Sequence, residues 1–215
     1  MAKRSDIDCS RWEKAVQHLA NVDPVMRNLI KIAGPCTVRP RRDYFVVLCK
    51  AIFSQQISTK VAAVLFRRFC NKFPNRRPTP KKVVEFLTAA NEQQIRACGL
   101  SRQKQSYILD LARHFVEGKI PTRRFRNMTD EQIIESLTAV RGIGRWTVEM
   151  FLIFVLNRTD VLPVDDFGLR GGFQRAYGLR KHPTAKQMQR RAEPWRPYRS
   201  VGTWYLWRQP KTAKK

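Results

Sequence analysis

The chain has 215 residues, enough for one substantial globular domain or two small lobes. Its hydrophobic content of 43% excludes a disordered basic tail, and 42 Lys and Arg against 17 Asp and Glu give a formal net charge of +25. Such an excess attracts polyanions, so the charge favours a nucleic-acid partner over a purely solubilising role. The longest apolar run, residues 150–156, is too short to span a bilayer.

The cysteines and histidines indicate no side-chain metal site. The five cysteines include no CxxC pair, and the three histidines are scattered along the chain. Most cysteines fall inside apolar helical patterns, so we expect small reduced core residues, typical of a cytosolic protein.

Helix-start signals recur along the chain. Asp23-Pro24 and Thr79-Pro80 each place a capping residue before a proline, which is typical of a helix N-terminus. Capping boxes are predicted at three places, residues 91–94, 129–132 and 184–187. Apolar residues at helical spacing predict further helices over residues 10–20, 44–53, 59–73 and 101–116. Almost no alternating pattern is present, so the predicted fold class is all-α, with roughly ten or more short helices.

The helix predicted over residues 59–73 has a clear division between its sides. Val61, Val64, Leu65 and Phe69 share the predicted apolar side, and the basic residues Arg67, Arg68 and Lys72 fall mainly on the other. We therefore expect the valines to be buried.

Residues 137–166 combine a glycine turn, an apolar helix and an acidic pair. Gly142 and Gly144 can adopt left-handed dihedrals and let a foreign backbone approach closely. The helix beginning at Gly144 would present unpaired N–H groups and the positive end of its dipole, which predicts an anion site for a DNA phosphate. The alternative is an ordinary helix–helix turn that uses glycine, and the net charge favours DNA.

The segment after the turn leads to two adjacent carboxylates. A helix from Trp146 to Leu156 is almost wholly apolar, so we expect it to be buried on nearly all sides. The segment that follows is long enough to return along the helix, which allows Asp165 and Asp166 to lie on the same side as the hairpin. In one interpretation Asp165 caps a helix over residues 167–177 and Asp166 favours its first turn. In the other, one aspartate caps while the other stabilises a positive sugar intermediate or polarises an attacking water.

Three separated motifs resemble the helix-hairpin-helix base-excision DNA glycosylases, in particular the bacterial 3-methyladenine DNA glycosylase II type. They are AIFSQQIS at residues 51–58, the hairpin through L-P-x-D-D, and WRPYRS before Trp204 and Trp207. The resemblance covers roughly residues 40–208 and implies an all-α, two-lobed fold with a cleft into which a damaged base is flipped. One glycosylase domain would cover residues 1–208, with lobes at about 40–150 and at the N-terminal helices plus about 151–208. A basic tail would follow at 209–215, and the form would be compact, without the N-terminal β-domain of larger bacterial enzymes.

The resemblance also implies an activity, which is hydrolysis of the N-glycosidic bond of an alkylated purine such as 3-methyladenine or 7-methylguanine in base excision repair. Asp166 would be the catalytic carboxylate, stabilising the developing oxocarbenium ion and assisting water, and Asp165 would be structural. Trp146 stands where bifunctional relatives have a lysine nucleophile, so a monofunctional enzyme that leaves an abasic site is expected. No cysteine follows Cys98, which excludes the iron–sulphur relatives.

Further site residues follow from the same resemblance. The residues expected to bind DNA are Gly142, Ile143, Gly144, Arg145, Thr147, Gln55 and Gln56. Gln56 matches the position of the side chain that wedges into the gap left by the flipped base, although both glutamines could equally cap a helix. The residues expected to stack on an electron-poor base are Trp146, Trp207 and Tyr44, with lobe packing as the alternative for Trp207.

A monovalent cation is the only further group that the resemblance implies. The hairpin carbonyls of Thr138, Val140 and Ile143 are similar to those that hold Na⁺ or K⁺ in relatives, and no cofactor is required. The expected partner is double-stranded DNA with alkylated bases, bound by a monomer without membrane association. The expected location is cytoplasmic, associated with the nucleoid in a bacterium.

Two other functions remain open from the sequence. A non-catalytic helix-hairpin-helix DNA-binding protein would need only the charge and the hairpin, but the acid in its L-P-x-D-D context argues against it. A glycosylase for deaminated or oxidised bases would keep the same motifs, because lesion choice depends on pocket shape.

Overall fold

The computed structural model describes residues 10–41 and 43–209, and every helix or strand assigned in this part of the chain is a helix. The α-helices are α1 (Ser10–Val22), α2 (Pro24–Ala33), α3 (Tyr44–Ser54), α4 (Thr59–Cys70), α5 (Pro80–Ala89), α6 (Glu92–Ala97), α7 (Arg102–Val116), α8 (Asp130–Thr138), α9 (Arg145–Phe154), α10 (Phe167–Ala176), α11 (Ala185–Ala192) and α12 (Arg199–Trp207). Short 3₁₀ helices lie at Pro74–Arg76, Thr122–Asn127 and Glu193–Trp195. The all-α prediction is confirmed. Residues 1–8, expected to be frayed, and residues 210–215 of the expected tail lie outside the described residues.

The predicted helix starts are present. The carboxylate of Asp23 accepts two backbone N–H groups at the start of α2, directly before Pro24. All three predicted capping boxes form, with Asn91, Thr129 and Thr184 as the N-cap residues. Local sequence therefore determines where most of these helices begin, because each cap satisfies backbone donors that the helix itself cannot.

The buried side of α4 differs from the predicted one. Phe69 is fully buried and Ala62 nearly so, whereas Val61 and Val64 remain 48% and 38% exposed. The buried stripe therefore passes through Ala62, Leu65 and Phe69, one position round from the stripe expected from the valines. Tertiary packing of the larger Phe69 ring sets the orientation of the helix, and a small alanine fills the remaining space.

The chain divides into two compact units, one formed by residues up to Pro40 and from Leu152 onward, the other by Arg41–Phe151. In the Arg41–Phe151 unit, α7 packs against α3 and α5, and α3 packs against α4. Its core contains edge-to-face pairs of phenylalanine rings, for example Phe69 with Phe73 at a centroid distance of 4.9 Å. Such pairs add to the burial of apolar area that stabilises the unit.

The other unit is organised around a buried carboxylate. Asp23 is 8% exposed and accepts hydrogen bonds from the Tyr177 hydroxyl and from Trp195 Nε1. Burial and the bond to Asp23 raise the pKa of Tyr177 well above its ordinary value. This carboxylate ties the start of α2 to α10 and to the segment before α12. Within residues 10–41 and 43–209, no helix combines the length and apolarity needed to cross a membrane.

Candidate functional site

The glycine turn between α8 and α9 adopts a left-handed conformation at Gly142 only. Gly142 has φ +82°, and a Cβ placed there would lie 2.2 Å from the ring of Tyr107. Gly144 is not left-handed, and a Cβ at this residue would meet nothing within 4 Å in the described part of the chain. The expectation of left-handed dihedrals is thus confirmed for Gly142 and wrong for Gly144. Gly144 instead leaves an open surface that a ligand backbone can approach.

The backbone donors of the turn fall into two groups. The N–H of Arg141 donates to a carboxylate oxygen of Asp110 at 2.9 Å and so belongs to the internal framework. The N–H groups of Gly144 and Arg145 have no acceptor among the residues that the structure describes. These two groups point out of the start of α9, where the helix dipole adds partial positive charge. The arrangement suits an anion.

A groove of about 480 Å³ lies beside the hairpin and includes both predicted glutamines. Gln55 Nε2 donates to the carbonyl oxygen of Gly142 at 2.7 Å, so this side chain holds the hairpin. Gln55 is also the C-cap residue of α3. Gln56 is exposed and has φ 61°, a conformation that a side chain other than glycine rarely adopts without a local reason. The turn therefore presents Gln56 outward while Gln55 faces inward.

Arg145 at the start of α9 is paired with two carboxylates. Its guanidinium donates to Glu131, with one contact at 3.0 Å, and lies 3.4 Å from Glu149. The hydrogen bond to Glu131 is the main reason that the pKa of Arg145 is raised and that of Glu131 lowered. Part of the positive charge expected at this predicted DNA-binding residue is consequently neutralised within the protein. Thr147, two residues further on, is half-buried.

The helix expected to be buried on nearly all sides is exposed at its beginning. Trp146 is 49% exposed, and the helix ends at Phe154 rather than Leu156. Burial begins one turn later, at Val148, Phe151, Leu152 and Ile153. The helix start is therefore a surface feature, with about half of Trp146 exposed.

The carbonyls expected to hold a monovalent cation border the same groove. Thr138, Val140 and Ile143 all line it. The Val140 oxygen accepts the N–H of Ile143 at 3.1 Å and retains a second lone pair, and the Thr138 hydroxyl donates back to Ile134 of its own helix at 2.7 Å. Carbonyl oxygens are suitable ligands for hard cations, so these residues fit the group.

The acidic pair differs from the capping interpretation, because the second aspartate caps the helix and the first does not. Asp166 is the N-cap residue of α10, and its Oδ1 accepts the backbone N–H of Leu169. Asp165 is exposed and pairs with Arg170 at 2.9 Å. The expectation that Asp165 caps the helix is therefore wrong. A cap oxygen must reach the N–H three residues ahead, and the observed helix start places Leu169 in that position relative to Asp166.

A second donor fixes the Asp166 carboxylate. Trp207 Nε1 donates to Asp166 Oδ1 at 2.8 Å, and the half-buried indole stacks on Phe154 at a centroid distance of 5.6 Å. A Cβ at Gly168 would lie 3.1 Å from that same oxygen, so glycine at this position leaves room for the contact. Capping uses one oxygen of a group with about four lone-pair sites, so it is compatible with a chemical role.

Tyr44, the third residue expected to stack on a base, begins α3. Its ring packs against Phe125 and Phe151, each at a centroid distance of 5.6 Å, and it is half-buried. It lies in the Arg41–Phe151 unit with Trp146, whereas Trp207 and Asp166 belong to the other unit.

Comparison with known proteins identifies the family. Residues 49–197, which contain the hairpin and Asp166, match the sequence model of the HhH-GPD superfamily of base excision DNA repair proteins. The chain belongs to the HhH-GPD superfamily. The resemblance inferred from the three motifs is confirmed.

Two yeast relatives match along most of their length. The chain is 31% identical to the alkylbase DNA glycosidase-like protein mag2 of Schizosaccharomyces pombe, over 100% of this chain and 99% of that protein. It is 36% identical to DNA-3-methyladenine glycosylase 1 of the same yeast, over 93% of this chain and 88% of the relative. The solved structure of the S. pombe 3-methyladenine DNA glycosylase in complex with abasic DNA matches with a TM-score of 0.79 at 36% identity, covering 94% of this chain and 100% of that one.

The sequence motifs did not reveal how α7 supports the hairpin of this HhH-GPD protein. Lys104 Nζ donates to the carbonyls of Phe53 and Gln55, each at 2.8 Å, and burial lowers the pKa of Lys104. Tyr107 lies under Gly142, and Asp110 accepts the N–H of the neighbouring turn residue. The three side chains are spaced three residues apart, so they share one face of the helix. That spacing of polar residues was the available signal.

Proposed function

We propose that this protein is a monofunctional DNA glycosylase that hydrolyses the N-glycosidic bond of alkylated purines, of the 3-methyladenine and 7-methylguanine class, in base excision repair. The observation that carries the proposal is an aspartate at the start of α10, held by two N–H donors, in a chain of the HhH-GPD superfamily. Relatives aligned over nearly the whole chain are named as 3-methyladenine or alkylbase glycosylases or as glycosidase-like. The partner is double-stranded DNA, bound by a monomer.

The hairpin binds the DNA backbone. The N–H groups of Gly144 and Arg145 donate to a phosphate, which the positive end of α9 also attracts, and the open surface at Gly144 lets the strand approach. Such main-chain contacts position the duplex and carry no sequence information. This suits an enzyme that must act on damage in any sequence.

The chemistry takes place at Asp166. An alkylated purine already carries positive charge, so the bond from C1′ to the ring nitrogen breaks with its electron pair leaving on the base. The sugar becomes an oxocarbenium ion, which the carboxylate stabilises electrostatically. Water then bonds to C1′ and gives up a proton to the carboxylate, with release of the base and an abasic site as products. The Leu169 N–H and the Trp207 indole keep the acid in place throughout.

Aromatic and polar side chains recognise the nucleotide that has left the stack. Trp146 and Trp207 stack on the electron-poor base, with Tyr44 as a further aromatic contact. The exposed Gln56, held outward by its left-handed backbone, enters the gap in the duplex. Gln55 serves this step indirectly, because it holds the hairpin through Gly142.

The side chain at residue 146 limits the reaction to base release. Trp146 has no amine, so it cannot form a Schiff base with the abasic sugar, and the enzyme has no lyase activity.

We further propose that the carbonyls of Thr138, Val140 and Ile143 hold Na⁺ or K⁺ when the cation is present. The ion would supply positive charge beside the bound phosphate.

Base-release profiling tests the proposed function. Duplexes that carry alkylated, deaminated or oxidised bases are incubated with the protein, and the free bases are identified by mass spectrometry. Release of alkylated purines by the natural protein and its loss in Asp166→Asn support the proposal. Release of only deaminated or oxidised bases would change the lesion class, and tight DNA binding without any release would identify a non-catalytic DNA-binding protein.

A further inference from the structure

A basic pocket lies between α10 and α11, in the unit that contains Asp166. It is a concavity of about 490 Å³, several times the roughly 30 Å³ that a water molecule occupies in the liquid. The cationic and imidazole side chains that line this α10–α11 basic pocket are Arg180, Lys181, His182, Arg190 and Arg191. None of them belongs to the hairpin or to the groups that hold Asp166.

The pocket is built on a rigid framework. Phe173, which lines it, is fully buried and stacks on Trp195 at a centroid distance of 5.4 Å. The Arg191 guanidinium lies 4.4 Å from the centre of the Tyr177 ring, whose hydroxyl donates to the buried Asp23. These contacts fix the floor of the pocket and one of its cations before any ligand binds, which reduces the entropic cost of binding.

The charges of the pocket are not neutralised within the protein. Among the residues that the structure describes, Arg180, Lys181, Arg190 and Arg191 form no ion pair with a carboxylate. Nearby acids are engaged with other cations, since Glu193 pairs with Arg196 at 2.9 Å and Asp165 with Arg170 at 2.9 Å. Like charges around one concavity repel each other, by about 1 kcal/mol for two charges 4 Å apart in water. A polyanion in the pocket would relieve this repulsion.

The pocket lies along the same helix that begins at Asp166. α10 has 10 residues and is therefore about 15 Å long, and Phe173 near its C-terminal end lines the pocket. At its other end, the Phe167 ring is 76% exposed and lies 5.0 Å from the ring of His182. A length of about 15 Å corresponds to roughly four base pairs at 3.4 Å each. A DNA duplex whose nucleotide reacts at Asp166 thus has flanking phosphates within reach of the pocket.

We propose that the α10–α11 basic pocket binds backbone phosphates of the DNA within about four base pairs of the flipped nucleotide, as a second anchor besides the hairpin. The proposal rests on the proposed function, because it assumes a DNA substrate. The ligand of the pocket is the phosphodiester backbone, which it binds through charge and independently of base sequence. The pocket contributes to DNA affinity and to the position of the duplex on the protein, and it takes no part in the chemical step.

Salt dependence of DNA binding tests the proposal. The double variant Arg180→Gln with Lys181→Gln removes two pocket charges on an exposed loop. The matched control, Lys81→Gln with Lys82→Gln, makes the same change in net charge at two exposed positions of α5. The dissociation constant for undamaged and abasic duplexes is measured from low to moderate salt. Each lost phosphate contact lowers the slope of log K against log salt by about 0.9, so the pocket variant should lose about one to two units of slope. The control should stay close to the natural protein.

Neutral methylphosphonate linkages placed one at a time around the lesion provide a second measurement. A linkage at a phosphate that the pocket binds should weaken binding by the natural protein and have no further effect on the pocket variant, whereas a linkage at the phosphate held by the hairpin should weaken binding by both. An unchanged salt slope, an equal loss in the control variant, or a methylphosphonate profile that is the same for the pocket variant and the natural protein would overturn the proposal. Base release at saturating enzyme should be the same in all three proteins. If the natural protein releases no base, the proposed function itself fails. If the natural protein releases base and the pocket variant binds DNA as the natural protein does, only the proposed role of the pocket fails.

Discussion

The hairpin is held by side chains distant in sequence, whereas Asp166 is held by a nearby backbone group and one distant indole. Gln55 is 87 residues from Gly142, and Asp110 is 31 residues from Arg141. By contrast, the Leu169 N–H that fixes Asp166 is three residues away, and Trp207 supplies a distant contact. The hairpin therefore depends on the packing of α3 and α7, while the acid depends mainly on where α10 begins. Substitutions should separate DNA affinity from the rate of base release.

The largest expected effect on the hairpin comes from Gly142→Ala. The left-handed dihedral costs an alanine about 1–2 kcal/mol, and the overlap with the Tyr107 ring adds about 1–3 kcal/mol. At about 2–4 °C per kcal/mol for a chain of this size, the thermal unfolding midpoint should fall by several degrees or more. Circular dichroism melting measures it. An unchanged midpoint would mean that the hairpin is not constrained by α7.

Among substitutions that leave Asp166 in place, Trp207→Phe is the most informative. Phenylalanine keeps a ring to stack on Phe154 but loses the N–H donor to Asp166. A hydrogen bond to a charged group contributes about 1.5–3 kcal/mol, so single-turnover base release should slow by about 10- to 100-fold. DNA affinity, which we assign to the hairpin, should change much less. Equal losses in affinity and rate would show that the indole serves binding and does not position the acid.

Gly144→Ala should weaken DNA binding without affecting stability. A Cβ at this residue meets nothing within 4 Å in the described part of the protein, and the backbone is not left-handed. The unfolding midpoint should stay within about 2 °C, because the added methyl is not strained. Crowding of a bound phosphate strand should raise the dissociation constant about tenfold, or about 1.4 kcal/mol. Unaltered affinity would exclude close approach of the DNA backbone at this glycine.

The smallest expected effect is that of Gln55→Ala. Loss of the bond to the Gly142 carbonyl removes about 0.5–1.5 kcal/mol of net stabilisation, so the dissociation constant for DNA should rise by only a few-fold. Gln56→Gly is the matched neighbour, since glycine accepts the left-handed backbone and should not lower the unfolding midpoint. Fluorescence titration and melting curves compare the two. A larger loss of stability in Gln56→Gly than in Gln55→Ala would contradict the division between an inward and an outward glutamine.

The contrast between contacts local in sequence and contacts distant in sequence also explains which features the sequence could predict. Caps and capping boxes act over three or four residues, so the helix starts at Pro24, Glu92, Asp130 and Ala185 follow from local pattern. The hairpin glycines and the acidic pair were also recognisable. The choice between two adjacent aspartates was not, because a shift of one residue in the start of α10 exchanges their roles.

Long-range contacts were beyond sequence pattern for a different reason. The periodicity of α4 could not show which of two neighbouring stripes faces the core, because that depends on how the helix packs in the folded protein. Similarly, the spacing of polar residues in α7 indicates a shared face, but it does not show that Lys104 donates to the carbonyls of Phe53 and Gln55 about 50 residues earlier. The exposed start of α9 at Trp146 was missed because an apolar composition does not reveal which end of a helix reaches the surface.

The central claim is that Asp166 performs the chemical step while the hairpin performs binding. The most direct test is the single-turnover rate of 3-methyladenine release at saturating enzyme, measured for Asp166→Asn and for the control Asp165→Asn. Asparagine caps a helix as well as aspartate, so Asp166→Asn should fold normally, bind DNA and lose about 10²–10³-fold in rate. Asp165→Asn, which removes only an exposed pair with Arg170, should release base at nearly the natural rate. Release by Asp166→Asn at the natural rate, or an equal loss in both variants, would contradict the assignment of Asp166 as the catalytic carboxylate.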